Sequence, residues 1–242
     1  MEHTLLTARL IRSVLLSEKT KHLEFDIEEV DSFDFAAGQF ISVREPRGER
    51  FVTRAYSIAS APRGNTFDLV LNRVEEGFMS NFLCDRKVGE TARFHGPHGL
   101  FLLKPEVEDM VFVATGTGIA PFRSFVQYLF GQDGSGQQRH RGRHIWLIYG
   151  TRYPEDVYYQ EEFEQLAAEH PNFHYIVTLS RGPENWTGSR GYVQEHLRKV
   201  VGERKDLHIY ICGLNDMVSS VRTLLINQCG LDKTRVIYER YD

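Results

Sequence analysis

Val111-Phe112-Val113-Ala114-Thr115-Gly116-Thr117-Gly118-Ile119-Ala120-Pro121-Phe122-Arg123-Ser124-Phe125 is the stretch on which the fold turns. It opens with an apolar run over residues 110–114, which reads as a strand buried on both faces. Two glycines separated by one residue follow. Phe122, Phe125, Val126 and Leu129 then take helical spacing. The order is strand, tight glycine turn, helix. Such a turn leaves backbone N–H groups at a helix N-terminus, where an anion is favoured. Glycine lets a diphosphate approach the backbone closely. Pro121 suits the first helical turn, where a missing N–H costs nothing. The full G-x-G-x-x-G pattern is absent, because Phe122 and Arg123 stand where the third glycine belongs. Taken alone, the stretch is equally an ordinary strand-to-helix turn of an α/β domain.

The remaining 227 residues outside this 15-residue stretch, out of 242, leave room for one large domain or two modest ones. A net charge of −4 argues against a general nucleic-acid binder. No apolar run approaches membrane-spanning length, and Met1-Glu2-His3-Thr4 lacks the basic and apolar regions of a leader. Cys84, Cys212 and Cys229 are too few and too scattered for a disulfide framework or an internal iron–sulfur cluster. The expectation is a cytoplasmic protein without membrane insertion, without nucleic acid and without a metal.

The first hundred residues read as strands, at 5–16, 22–27, 39–44, 51–59, 66–73 and 90–95. Turn signals such as Ala37-Gly38, Pro46-Arg47-Gly48 and Arg63-Gly64-Asn65 separate them. Phe67-Asp68-Leu69-Val70-Leu71 alternates apolar and polar residues in part. A small antiparallel barrel is predicted, with a helix at 79–85 plugging one end. After Gly96-Pro97-His98-Gly99 the period changes. Strands at 111–114, 145–149, 175–178 and 207–211 alternate with helices at 122–130, 161–169, 192–200 and 216–228, which is a doubly wound parallel α/β pattern. A last strand at 235–238 leaves Glu239-Arg240-Tyr241-Asp242 just beyond a sheet edge. The boundary falls near Lys104-Pro105-Glu106, giving domains 1–104 and 105–242. Residues 131–144 read as a flexible loop with a basic end.

A barrel followed by a nucleotide-binding domain points to two cofactors. In Arg54-Ala55-Tyr56-Ser57 the arginine and tyrosine share one strand face. An arginine fork suits a diphosphate, and a tyrosine ring covers a flat heteroaromatic. In order along the chain stand Arg54-x-Tyr56-Ser57, Gly77-x-x-Ser80, Gly96-Pro97, Gly116-Thr117-Gly118-Ile119-Ala120-Pro121, Tyr149-Gly150-x-Arg152, Cys212-Gly213 and Glu239-x-Tyr241. With this set the chain resembles the ferredoxin–NADP reductase superfamily of flavoproteins over nearly its full length.

The resemblance implies roles at matching positions. Arg54 binds the phosphates of FAD, Tyr56 packs on its ring, and Ser57 hydrogen-bonds near the ring nitrogen that receives hydride. Asn72, Arg73 and Val74 flank the ring or its sugar chain. Gly77, Met79 and Ser80 form a second phosphate contact. Thr115, Gly116, Thr117, Gly118 and Pro121 hold the diphosphate of NADP(H), with Arg152 nearby. Cys212 and Gly213 lie beside the nicotinamide. Glu239 and Tyr241 complete the catalytic set with Ser57 and Cys212, Tyr241 as an aromatic lid and Asp242 as an added terminal residue. Ser180, Arg181 and Arg190 are expected to converge on a 2′-phosphate, so that NADPH is preferred. The implied activity is electron passage between NADPH and a one-electron carrier, ferredoxin or flavodoxin. The alternatives are the reductase component of an oxygenase, a free flavin reductase, or a flavin- or nucleotide-binding module without catalysis.

Overall fold

A computed structural model describes residues 4–105 and 108–241. The expectations that touch residues 1–3, Glu106 and Asp242 lie outside the described residues. Chain contacts divide it into two units, Met1–Leu103 with Arg123–Tyr128, and Lys104–Phe122 with Leu129–Asp242.

In the first unit six strands run β1 (Leu6–Ser17), β2 (Thr20–Ile27), β3 (Phe40–Arg47), β4 (Arg50–Ser57), β5 (Thr66–Asn72) and β6 (Thr91–His98). They form one antiparallel sheet in the order β4-β3-β6-β1-β2-β5. A bridge between Ile58 and Leu69 brings its two end strands together, which curls the sheet into the barrel. Side-chain alternation sends Leu23, Phe25 and Ile27 of β2 and Phe67, Leu69 and Leu71 of β5 inward. Phe25 stacks on Phe67 at 5.5 Å, and Phe94 meets Phe67 edge-on at 5.2 Å. Helix α1 (Phe78–Asp85) adds Met79, Leu83 and Cys84 to the same core.

Two details differ from the sequence reading. The β3–β4 turn takes only Gly48 of Pro46-Arg47-Gly48, because Pro46 still pairs with Phe51 and Arg47 with Arg50. The chain reverses at Gly48, whose φ of +62° glycine adopts without strain. Strand β5 is buried on both faces, so Asp68, apparently a surface position, is only 1% exposed.

The second unit is a parallel sheet of β7 (Met110–Thr115), β8 (Ile145–Thr151), β9 (Phe173–Leu179), β10 (Ser189–Arg190), β11 (His208–Leu214) and β12 (Val236–Tyr241). The order is β10-β9-β8-β7-β11-β12. Helices α2 (Ile119–Phe130), α3 (Gln160–Glu169), α4 (Val193–Val201) and α5 (Asn215–Thr223) connect them. The chain moves outward from β7 through β8 and β9, then returns to β11 on the other side. The direction of winding therefore switches between β7 and β11, where open α/β sheets leave a crevice at the carboxyl ends of their strands.

The helix expected at 216–228 ends at Thr223 and widens into a π turn over Leu224–Gln228. The expected strand at 235–238 begins one residue later, because Arg235 lies in a turn capped by Asp232. It also continues through Tyr241, pairing Glu239 with Cys212 and Tyr241 with Leu214. Residues 239–241 are thus sheet, not a tail beyond its edge. The segment 131–144 is a loop with contacts of its own. Asp133 accepts the N–H groups of Ser135 and Gln137 and pairs with Arg141 at 3.0 Å.

Candidate functional site

At the switch point, β7 ends in extended Thr115 and Gly116 turns with φ +53° into a single 3₁₀ turn before α2. A Cβ on Gly118 would lie 2.4 Å from the Cys212 carbonyl oxygen, and one on Gly213 2.3 Å from the Thr115 hydroxyl. Gly118 therefore lets the turn after β7 lie directly on the Cys212 backbone of β11, and Gly213 leaves room for the Thr115 and Met217 side chains. Gly116 has open space in front of it. The buried Thr115 hydroxyl has no hydrogen-bond partner in the protein. The first N–H groups of α2 have no acceptor within the helix. An open glycine, a helix N-terminus and an unsatisfied hydroxyl together fit a dinucleotide diphosphate. The Tyr149 hydroxyl holds the turn from behind, donating to the Gly116 carbonyl at 3.0 Å. Pro121 is buried in the first turn of α2, so its part is to shape the helix.

The ends of β8 and β9 are zipped together, with Ser180 N donating to Thr151 O and Arg181 N to Arg152 O, both at 3.0 Å. This pairing sets Arg152, Ser180 and Arg181 side by side at the carboxyl edge of the sheet. The Arg181 guanidinium is exposed and bonds the Tyr153 hydroxyl, which raises its pKa. Arg190 is disposed differently. Its guanidinium donates to the carbonyls of Gly182, Pro183, Glu184 and Trp186 at 2.6–3.1 Å. Tyr192, 68% exposed at the start of α4, is a further candidate that the sequence reading treated only as a helix start. A large aromatic at a cap position, where Ser or Asp is usual, was its signal.

Cys212 is fully buried, and burial pushes its thiol well above the ordinary range. The Glu239 charge pushes it further. Cys212 is therefore a neutral thiol, not a thiolate nucleophile. Its register partner Glu239 and the in-sheet Tyr241 gather around it.

In the first unit, Arg54 is exposed on β4 and donates only to the carbonyl of Thr53, at 2.8 Å. Among the described residues no carboxylate pairs with it. Tyr56 lies on the same strand face and packs its ring against the barrel core, and burial raises its phenol pKa. Ser57 is buried at the strand end. Segment 72–81 is shaped by its own side chains. Asn72 accepts the Thr20 hydroxyl at 2.5 Å, and Arg73 grips Asn81 at 2.7 Å and Asp85 at 2.5 Å. Val74 N donates to the Ser80 hydroxyl, and Asn81 donates to the carbonyls of Val74 and Gly77. Asn72, Arg73 and Ser80 thus spend side-chain groups on building the segment.

Gly77 caps α1 without any side-chain bond, and a Cβ there would lie 2.6 Å from the Ser80 hydroxyl. The helix N–H groups stay available to an anion. The Met79 side chain is buried in the core, so only its backbone can face a ligand. An unpaired guanidinium, an uncapped helix start and a half-buried tyrosine ring fit the phosphates and flat ring of a flavin dinucleotide.

Comparison with known proteins covers both units. A family model described as an oxidoreductase FAD-binding domain matches residues 7–102, and an oxidoreductase NAD-binding domain matches residues 112–223. Ferredoxin–NADP reductase B of Sorangium cellulosum is 40% identical over 243 residues, covering 97% of each chain. The toluate 1,2-dioxygenase electron transfer component of Pseudomonas putida is 28% identical over 227 residues, with 93% of this chain matching 64% of its length. A ferredoxin NADP⁺ reductase from Neisseria gonorrhoeae, solved with bound FAD and NADP, shares the fold with a TM-score of 0.82 at 22% identity, covering 99% of each chain. With family models on both halves and a relative of this identity along its whole length, the chain belongs to the ferredoxin–NADP reductase family of FAD- and NAD(P)-binding oxidoreductases.

Proposed function

We propose that the enzyme is an NADPH-linked reductase whose partner is an acidic one-electron carrier, a ferredoxin or flavodoxin. The observation that carries the partner is the surface of the β3–β4 hairpin. Arg44, Arg47 and Arg50 are exposed there, and none is paired with a carboxylate among the described residues. Phe51, 53% exposed, lies between the guanidinium groups of Arg44 at 4.6 Å and Arg93 at 6.0 Å. A positive, aromatic-centred patch on a chain of net charge −4 suits a negatively charged protein surface.

A bound flavin would supply the chemistry that links two-electron hydride transfer from the nicotinamide to one-electron release. The chain's own task is placement. Arg54 and the start of α1 hold the flavin phosphates, Tyr56 covers the ring, and Ser57 offers a hydroxyl beside it. The turn at residues 116–118 holds the nicotinamide dinucleotide by its diphosphate, and Arg152 supports it. Cys212 supplies an uncharged wall, so no ionised sulfur competes for the nicotinamide. Glu239 and Tyr241 close the side of that wall.

Anaerobic NADPH should bleach the purified flavoprotein, and reduced ferredoxin or flavodoxin should then form at a rate that falls as salt is added. Arg47→Glu and Arg50→Glu should slow that second phase while leaving bleaching unchanged. Reoxidation by an oxygenase component, with no transfer to either carrier, would favour the reading suggested by the dioxygenase relative.

Coenzyme choice rests on Ser180 and Arg181. Removing a charge-assisted contact to a phosphate costs about 1.5–3 kcal/mol, which is roughly 10- to 150-fold. Arg181→Ala should raise KM for NADPH by that order and leave KM for NADH nearly unchanged. Equal losses with both coenzymes would remove Arg181 from the 2′-phosphate site.

A further inference from the structure

We infer that Ser124 and Gln127 of α2 are positioning residues: they tie down the backbone that follows Ser57 and so fix the hydroxyl that Ser57 offers to the flavin. This role presupposes the placement of Ser57 beside the flavin ring proposed above. Strand β4 ends at Ser57, which is buried and pairs with Phe40 of β3. The next residue, Ile58, already bridges to Leu69 of β5. At Ser57 the chain therefore leaves one end strand of the sheet for the other. Residues 59–61 follow outside any strand, so their backbone groups need partners other than a ladder.

One side of this segment is held by β5. Ala59 N donates to Asp68 O at 2.8 Å, and Asp68 N donates to the Ser60 hydroxyl at 3.0 Å. The other side is held by α2. Arg123 Nη1 donates to Ala59 O at 2.9 Å, and the Ser124 hydroxyl donates to Ser60 O at 2.6 Å. Gln127 Oε1 accepts Ala61 N at 3.1 Å. Three consecutive residues are thus met by helix positions i, i+1 and i+4, where the last neighbours both others on the helix surface. All of these residues belong to the first unit. Ser124 and Ser60 are wholly buried. A buried carbonyl stripped of its donor is costly, so without Ser124 the segment must shift to recover a partner. Ser57 lies three residues before Ser60 and shifts with it. A displacement of about 1 Å near reacting atoms can slow a reaction roughly 100-fold, so even a partial shift is measurable.

The test is a double-mutant cycle in the FAD-loaded protein. It reads the limiting rate of flavin reduction by saturating NADPH in anaerobic stopped flow, and separately the amide exchange of residues 57–61. Ser124→Ala and Gln127→Ala should each speed that exchange. Each should also slow flavin reduction by about fivefold or more, with flavin content and NADP⁺ affinity unchanged. Gln127→Glu keeps an acceptor for Ala61 N and should restore both readouts. In a Ser57→Ala background the same alanine substitutions should change the rate by less than about twofold, because the hydroxyl they position is gone. Equal slowing in both backgrounds, or faster exchange with an unchanged rate, overturns the positioning role and leaves α2 a structural brace. A Ser57→Ala protein whose flavin is reduced as fast as the wild type overturns the placement of Ser57 itself, while exchange of residues 59–61 still reports whether α2 holds them.

Discussion

Arg54→Ala should purify with much of its flavin missing and should melt at a lower temperature than the wild type. The guanidinium stands exposed on β4 with one bond, to its neighbour's carbonyl, so the folded protein does not otherwise use it. Charge-assisted bonds to a phosphate contribute about 1.5–3 kcal/mol each, so loss of this fork weakens flavin by at least roughly tenfold. Flavin binds only the folded chain, so weaker binding lowers apparent stability by mass action. Added FAD should restore both the colour and the melting temperature in a concentration-dependent way. Full flavin content with an unchanged melting temperature would show that Arg54 does not hold the phosphates.

The largest loss of stability should come from Asp68→Ala. Asp68 is buried, and its carboxylate accepts Arg63 at 2.5 Å and Arg123 at 2.8 Å. Arg123 also donates to Ala59 O at 2.9 Å, and its side chain is 12% exposed. Arg123 is grouped with Asp68 in the first unit. Removing the carboxylate would leave an arginine that is mostly out of water and without its charge partner, at a cost of about 3–5 kcal/mol. His22, Glu24 and Asp68 also bring three potential metal ligands within 4.8 Å of one another. Arg63 holds both Glu24 and Asp68, so the carboxylates already have cationic partners. Denaturant unfolding with saturating FAD would measure the effect apart from flavin loss. A cost below about 1 kcal/mol would place the pair among surface-like ion pairs.

These two residues show where a sequence is legible. Arg54 could be found because its neighbours Tyr56 and Ser57 carry a local pattern. The strand, turn and helix around Gly116 were legible for the same reason, since period and glycine placement are local. Asp68 was not. Its more buried partner Arg123 is 55 positions away, and an acidic residue in an alternating strand looks like a solvated one. The carbonyl partners of Arg190 were not legible either, since backbone groups leave no trace in residue identity. The extension of β12 to Tyr241 depended on pairing with β11, and local propensity does not report such pairing.

The meeting of β7 and β11 through Gly118 and Gly213 has a consequence for redesign. At Gly118 an added carbon would run into the Cys212 backbone, so a strand would have to shift. The turn proposed to grip a diphosphate is therefore closed to gradual change at that position. The neighbouring strand ends are the reverse, since Arg181 and Tyr192 project into solvent and can be altered singly. Retaining a coenzyme and choosing between coenzymes are thus separable variables in this chain, the first frozen in the sheet and the second adjustable at its rim.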